Sequence, residues 1–115
     1  MKRFGLPKEY ILSNVNDIDK VFKQGLLINS QSFSLFFCQS SQTKVLFTAS
    51  KFIKTHVKKN KAKRILRELF RKNKAAFPKN LSFAFIAKKQ IFIIKYTLLE
   101  AEFIELADSI FHRIN

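Results

Sequence analysis

Residues 55–77 run Thr55-His-Val-Lys-Lys-Asn-Lys-Ala-Lys-Arg-Ile-Leu-Arg-Glu-Leu-Phe-Arg-Lys-Asn-Lys-Ala-Ala-Phe77. Between Lys58 and Lys74, nine of seventeen residues are Lys or Arg, and Glu68 is the one acid. Ala62, Ile65, Leu66, Leu69 and Phe70 follow the i, i+3, i+4, i+7, i+8 spacing of an amphipathic helix. At about 100° per residue, Asn60, Lys63, Arg64, Arg67, Arg71 and Lys74 fall on the opposite face. The pattern predicts a helix with one side in a core and a row of cations on the other. In an average helix such charges are a solvated face. Here the signs are not mixed, so few Glu–Lys pairs offset the repulsion, and a polyanionic partner would neutralise it.

The rest of the composition agrees. A chain of 115 residues with 47% apolar content and fourteen Phe can bury a core, and its length suits a single domain over 1–115. A formal charge of +14 points to nucleic acid or an anionic surface. No apolar run approaches the ~18 residues of a membrane span, and the basic start has no apolar stretch behind it, so neither a membrane anchor nor a signal peptide is expected. Cys38 is the lone cysteine, which leaves no internal disulfide and suits a reducing cytoplasm.

In chain order, residues 1–13 read as an extended basic arm. Asn16 is a candidate N-cap for a helix over 16–24, with Ile18, Val21 and Phe22 as its apolar face and Gly25 at its C-terminal boundary. Phe22 is either core or cleft wall. Residues 26–40 are β-prone, with Phe33, Leu35 and Phe37 alternating against Ser34 and Phe36, and the face of Phe36 is unassigned. Residues 44–51 and 81–88 read as further strands on either side of the basic helix. Residues 91–96 are a strand by propensity or an apolar connection. Thr97 and Glu100 form a candidate capping box for a last helix ending near His112. That helix carries four of the eight acids, so it should lie away from a polyanion. The fold class is α+β, a small mixed β-sheet packed with helices in the order α-β-β-(β)-α-β-α.

Catalytic chemistry is sparse. His56 and His112 lack partners at metal-ligand spacing, no paired carboxylates stand beside the basic run, and the only glycines are Gly5 and Gly25, too few for a phosphate loop. No catalytic residue and no metal site is expected in the chain. Cations on a helix with aromatic residues on nearby strands suit phosphates and unpaired bases, favouring RNA over duplex DNA. A general RNA-chaperone protein and an independent metal nuclease remain alternatives.

The run Val57-Lys58-Lys59-Asn60-Lys61-Ala62-Lys63-Arg64-Ile65-Leu66-Arg67 resembles the signature of the bacterial ribonuclease P protein component, Val-x-Arg-Asn-Arg-x-Lys-Arg-x-x-Arg. Residues 16–25, ending Val21-Phe22-Lys23-Gln24-Gly25, are similar to that family's first helix. Ser32–Phe36, Ser50-Lys51 and Phe83–Lys88 resemble its strands and pre-helix segment. Lys59 and Lys61 stand where the family has Arg, Leu46 and Lys54 where it has Gly, Phe52 where it has Lys, and Ile18 where an aromatic is common. The resemblance implies a left-handed βαβ crossover, against the usual hand. It implies the protein subunit of a cytoplasmic ribonucleoprotein that cleaves the 5′ leader from precursor tRNA, with the catalytic RNA and its Mg²⁺ doing the chemistry. Its partners would be the ribonuclease P RNA and precursor tRNA, with no membrane and no DNA. By position, Lys59, Asn60, Lys61, Lys63, Arg64 and Arg67 match signature residues that contact RNA, with Lys51, Lys58 and Arg71 extending the surface. Phe22 and Phe36 match wall positions of a cleft for the single-stranded leader.

Overall fold

The computed structural model describes residues 10–114. Three helices, α1 (Val15–Gln24), α2 (His56–Asn73) and α3 (Tyr96–Ile114), pack on four strands, β1 (Leu26–Asn29), β2 (Phe33–Gln39), β3 (Lys44–Ala49) and β4 (Leu81–Ala87). The strand order is β1-β2-β4-β3. β1/β2 and β2/β4 are antiparallel, and β3/β4 are parallel because α2 carries the chain between them. The order is the expected α-β-β-β-α-β-α. The expected arm over 1–13 lies largely outside the described residues. Its last part runs beside β3, where Ile11 bridges Val45 and the Leu12 N–H donates to the Val45 carbonyl at 2.9 Å.

Side chains alternate across a strand, so each strand divides its residues between two layers. Phe33, Leu35 and Phe37 of β2, Val45 and Phe47 of β3, and Phe83 and Phe85 of β4 enter one core with Leu66, Leu69 and Phe70 of α2 and Phe103, Leu106 and Ile110 of α3. The centre of that core is aromatic. Phe33, Phe47, Phe70, Phe77, Phe83, Phe85 and Phe103 have ring centroids 5.2–6.4 Å apart, within the range where edge and offset contacts are favourable. On the reverse of the sheet, Leu12, Val21 and Ala84 are buried, with Ile18, Phe22, Phe36, Cys38 and Leu46 half-buried around them. This thinner layer is roofed by α1. It assigns Phe36 to the α1 side.

Three local expectations are revised and one open alternative is resolved. The cap of α1 is Asn14, not Asn16: its side-chain oxygen accepts from the Asn16 N–H at 2.9 Å and from the Asp17 N–H at 3.3 Å. Residues 26–40 are two strands with a turn at Ser30–Ser32. Glu102 of α3 holds that turn, accepting from the Ser32 N–H at 2.9 Å, the Ser32 hydroxyl at 3.0 Å and the Ser30 hydroxyl. Residues 91–96, open between strand and apolar connection, are the connection. The chain leaves the sheet after Ala87, makes a 3-10 turn over Lys89–Phe92 that buries Ile91, and enters α3 at Tyr96. The Thr97–Glu100 capping box does not form, since the helix is already under way when the Leu99 N–H bonds the Lys95 carbonyl. Glu100 accepts instead from the Asn73 amide at 3.1 Å, tying α3 to the end of α2.

Gly25 closes α1 for a reason other than left-handed geometry. Its φ is −74°, open to any residue. A Cβ there would stand 2.3 Å from the Val21 carbonyl oxygen and 2.9 Å from that of Phe37. Glycine lets α1 approach the β2 backbone closely enough to roof the sheet.

Candidate nucleic-acid interface

The basic helix starts where β3 ends. The Ser50 N–H donates to the Ala87 carbonyl at 2.8 Å, Ile53 is buried, and Lys51 and Lys54 are exposed on the link between. Thr55 caps α2, its hydroxyl accepting from the Lys58 N–H at 3.1 Å. The first turn holds no acid. Lys58, Lys59 and Lys61 therefore add their charge to the positive end of the helix dipole, where cations are least at home and an anion gains most.

Along α2 the cations divide among three aspects. Asn60, Arg64 and Arg71 are exposed on the crest, with Lys58 and Lys61 also exposed. Lys59, Lys63 and Arg67 are half-buried on the flank beside β3, where the Arg67 guanidinium sits 5.7 Å from the centre of the Phe47 ring. The expected single row opposite the core is thus broader, and Lys63 and Arg67 belong to its edge. The far flank faces α3, with the Lys72 ammonium 5.4 Å from the Tyr96 ring. Glu68 is spent locally. It pairs with Arg71 one turn on, and that hydrogen bond holds the Glu68 carboxyl below its ordinary range. Arg71 is accordingly compensated within the protein, while Arg64 has no acidic partner among the described residues.

Phe22 of α1 and Phe36 of β2 meet on the reverse face of the sheet, ring centroids 5.1 Å apart and edge to face. Both stay half-buried, so each keeps accessible surface. Beyond them runs a row set by strand register, with Asn29 beside Ser34, Ser34 beside Ile86, and Ile86 beside Thr48, polar at all but Ile86. The Ser34 hydroxyl donates to the Asn29 side chain at 2.6 Å and the Thr48 hydroxyl to the Phe85 carbonyl at 2.9 Å. This row reaches the sheet end where Lys51, Lys54 and the start of α2 stand. Aromatic wall and cationic helix therefore occupy opposite layers, joined at one end of β3. Sequence reading left Lys54 out of the cationic set. Its place directly before the capping Thr55 was the available signal.

The remaining chemistry-bearing groups are quiet. Cys38 is half-buried beside α1, and burial pushes its thiol above the ordinary value, which keeps it protonated and a poor nucleophile. His56 is the exposed first residue of α2. Among the described residues no group of His, Cys, Asp or Glu is placed to hold a metal ion. Among the described residues no helix is long and apolar enough to cross a membrane.

The fold and surface define a small α+β protein with a cationic helix on one layer of its sheet and an accessible Phe22–Phe36 pair on the other. A family model described as Ribonuclease P matches residues 6–110, and the chain belongs to that family. The ribonuclease P protein component of Aliivibrio salmonicida is 32% identical, over 97% of this chain and 94% of its own length. That of Finegoldia magna is 31% identical over 84% of this chain and 86% of its own. Among solved structures, the RNase P protein from Thermotoga maritima superposes with a TM-score of 0.75 at 22% identity, covering 84% of this chain and 94% of that one. The Staphylococcus aureus RNase P protein gives 0.72 at 20% identity, covering 88% and 94%.

Proposed function

We propose that this protein is the subunit of ribonuclease P that binds the catalytic RNA through α2 and the 5′ leader of precursor tRNA through the reverse face of the sheet. The carrying observation is the separation of two surfaces: unpaired cations on α2, and the accessible Phe22–Phe36 pair in the other layer. Lys51, Lys58, Lys59, Asn60, Lys61, Lys63 and Arg64 supply phosphate contacts, Arg67 does so from the β3 flank, and Arg71 contributes least because Glu68 holds it. Unpaired leader bases rest on Phe22 and Phe36, since aromatic faces stack any base.

Hydrolysis belongs to the RNA, with Mg²⁺. Mg²⁺ takes hard oxygen ligands, and the described residues offer no carboxylate cluster to hold it. This chain binds, orients and neutralises. The whole chain acts as one RNA-binding domain in the cytoplasm. The test is reconstitution with the RNA subunit of ribonuclease P and a precursor tRNA. Protein alone should leave the precursor intact at any Mg²⁺ concentration, and the mixture should cut once at the leader junction, at lower Mg²⁺ than RNA alone requires. Cleavage by purified protein, or no effect of protein on the RNA reaction, would overturn the reading; the second result fits a general RNA chaperone.

A further inference from the structure

At the end of α2 farthest from the leader face lies a recess of about 500 Å³, with Phe70, Phe77 and Pro78 as its floor and Tyr10, Lys74 and Lys79 at its mouth. A second recess of about 340 Å³ shares Tyr10 and Thr43 with it and is edged by Ser41, Gln42 and Asn80. Together they form one groove with an apolar floor, a tyrosine ring, two ammonium groups and an amide-rich polar rim. Among the described residues no acid lines either part. The Lys74 ammonium is 4.4 Å from the centre of the Tyr10 ring, so its charge is held by an aromatic face and not by a carboxylate. The rim is built. Asn80 adopts φ 63°, its N–H donates to the Thr43 hydroxyl at 3.0 Å, and its carbonyl accepts from the Ser40 N–H at 3.0 Å.

We propose that this groove is a second RNA contact, a seat for one unpaired nucleotide of the RNA bound along α2. The proposal rests on the reading that α2 binds RNA and extends its footprint. The chemistry of each part suits a nucleotide. Lys74 and Lys79 take the phosphate, Tyr10 stacks the base as the Lys74 ammonium turns outward, and the side chains of Gln42 and Asn80 meet the base edge with both donors and acceptors. An inorganic anion would use the lysines and leave the ring and the apolar floor idle. A purely apolar ligand would leave the two ammoniums unpaired. With 18 residues at about 1.5 Å each, α2 sets this seat roughly 27 Å from Thr55, so one RNA could be gripped at both ends of the helix.

The experiment has two arms on the full chain. In the first, amide NMR shifts are followed on adding uridine or adenosine monophosphate, with inorganic phosphate in parallel. Either nucleotide should move Thr43, Lys74, Ala75 and Lys79 at concentrations roughly tenfold below those phosphate needs. In the second, affinity for the ribonuclease P RNA is measured against salt. Lys74→Ala/Lys79→Ala should flatten the log–log slope by about 0.7, the share of the one single-strand phosphate the two lysines hold between them. Tyr10→Leu, which keeps an apolar wall, should weaken binding roughly five- to hundredfold with the slope unchanged. Equal response to nucleotide and phosphate overturns the seat, as do variants that fold and bind the RNA like the parent protein. If the parent protein itself does not bind this RNA, the proposed function has failed instead, a different result from the same titration.

Discussion

Among the described residues, the side-chain hydrogen bonds that span the greatest sequence distance join Ser30 and Ser32 to Glu102. Ser32 is wholly buried, yet its N–H and hydroxyl both end on a carboxylate seventy positions away. Asn29, Ser30 and Ser32 are turn-forming residues, but without glycine or proline they mark the hairpin only weakly. That is why residues 26–40 read as one β-prone stretch. Phe36 was undecidable for a related reason, since with phenylalanine at both parities only a packing partner on α1 assigns its face. Glu102→Ala should leave buried donors unmatched and cost about 1–3 kcal/mol. Glu105→Ala, on the exposed side of the same helix, should stay within about 0.5 kcal/mol of the parent. Urea unfolding midpoints of the two variants measure the difference, and equal midpoints would show that the serine–carboxylate cluster contributes nothing.

Among the elements, α2 was legible almost whole, because its apolar stripe and charge run keep one period for five turns. Its core side, Ala62, Leu66, Leu69 and Phe70, is as expected. The distribution of its cations was less so, since Phe47 draws Arg67 to one flank and Glu68 withdraws Arg71. Residues 91–96 stayed open between strand and apolar connection because apolar content without register is ambiguous: the sheet has no place for them once β4 ends against Ser32, and they are the connection. Helix α1 was read correctly in extent but not in its closing device. Gly25→Ala must push a methyl group into two carbonyl oxygens, with an expected cost of about 1–3 kcal/mol from overpacking. Thermal unfolding gives the loss. The same variant should weaken contact between Phe22 and Phe36, since α1 can no longer sit as close to β2.

Over the whole molecule, +14 charges are arranged so that compensation is local and the excess is directed. Of the acids on α3, Glu102 is tied to the hairpin and Glu100 to Asn73, while Asp108 lies near His112 at 3.7 Å. Among the described residues the cations of α2 have one acidic partner, Glu68. The parallel β3–α2–β4 unit sets that helix on one layer and leaves the other to α1 and the aromatic pair. This division was legible in part: the residue types of both surfaces stood in the sequence, but their placement on opposite layers required the strand register.

The most direct measurement is a double comparison in the reconstituted particle. Affinity for the RNA subunit, and for precursor tRNA with a leader of several nucleotides against mature tRNA, is taken for Phe36→Ala and Arg64→Ala. Arg64 is chosen over Arg67 because its exposed side chain can be removed without disturbing Phe47. Phe36→Ala should narrow the gap between precursor and mature tRNA, by a stacking loss of roughly 1–3 kcal/mol, and leave RNA-subunit affinity unchanged. Arg64→Ala should weaken RNA-subunit binding, flatten its salt slope by about 0.7, and leave the gap as it was. If both variants, shown to be folded, alter the two quantities alike, the two layers do not divide the work and the account is contradicted.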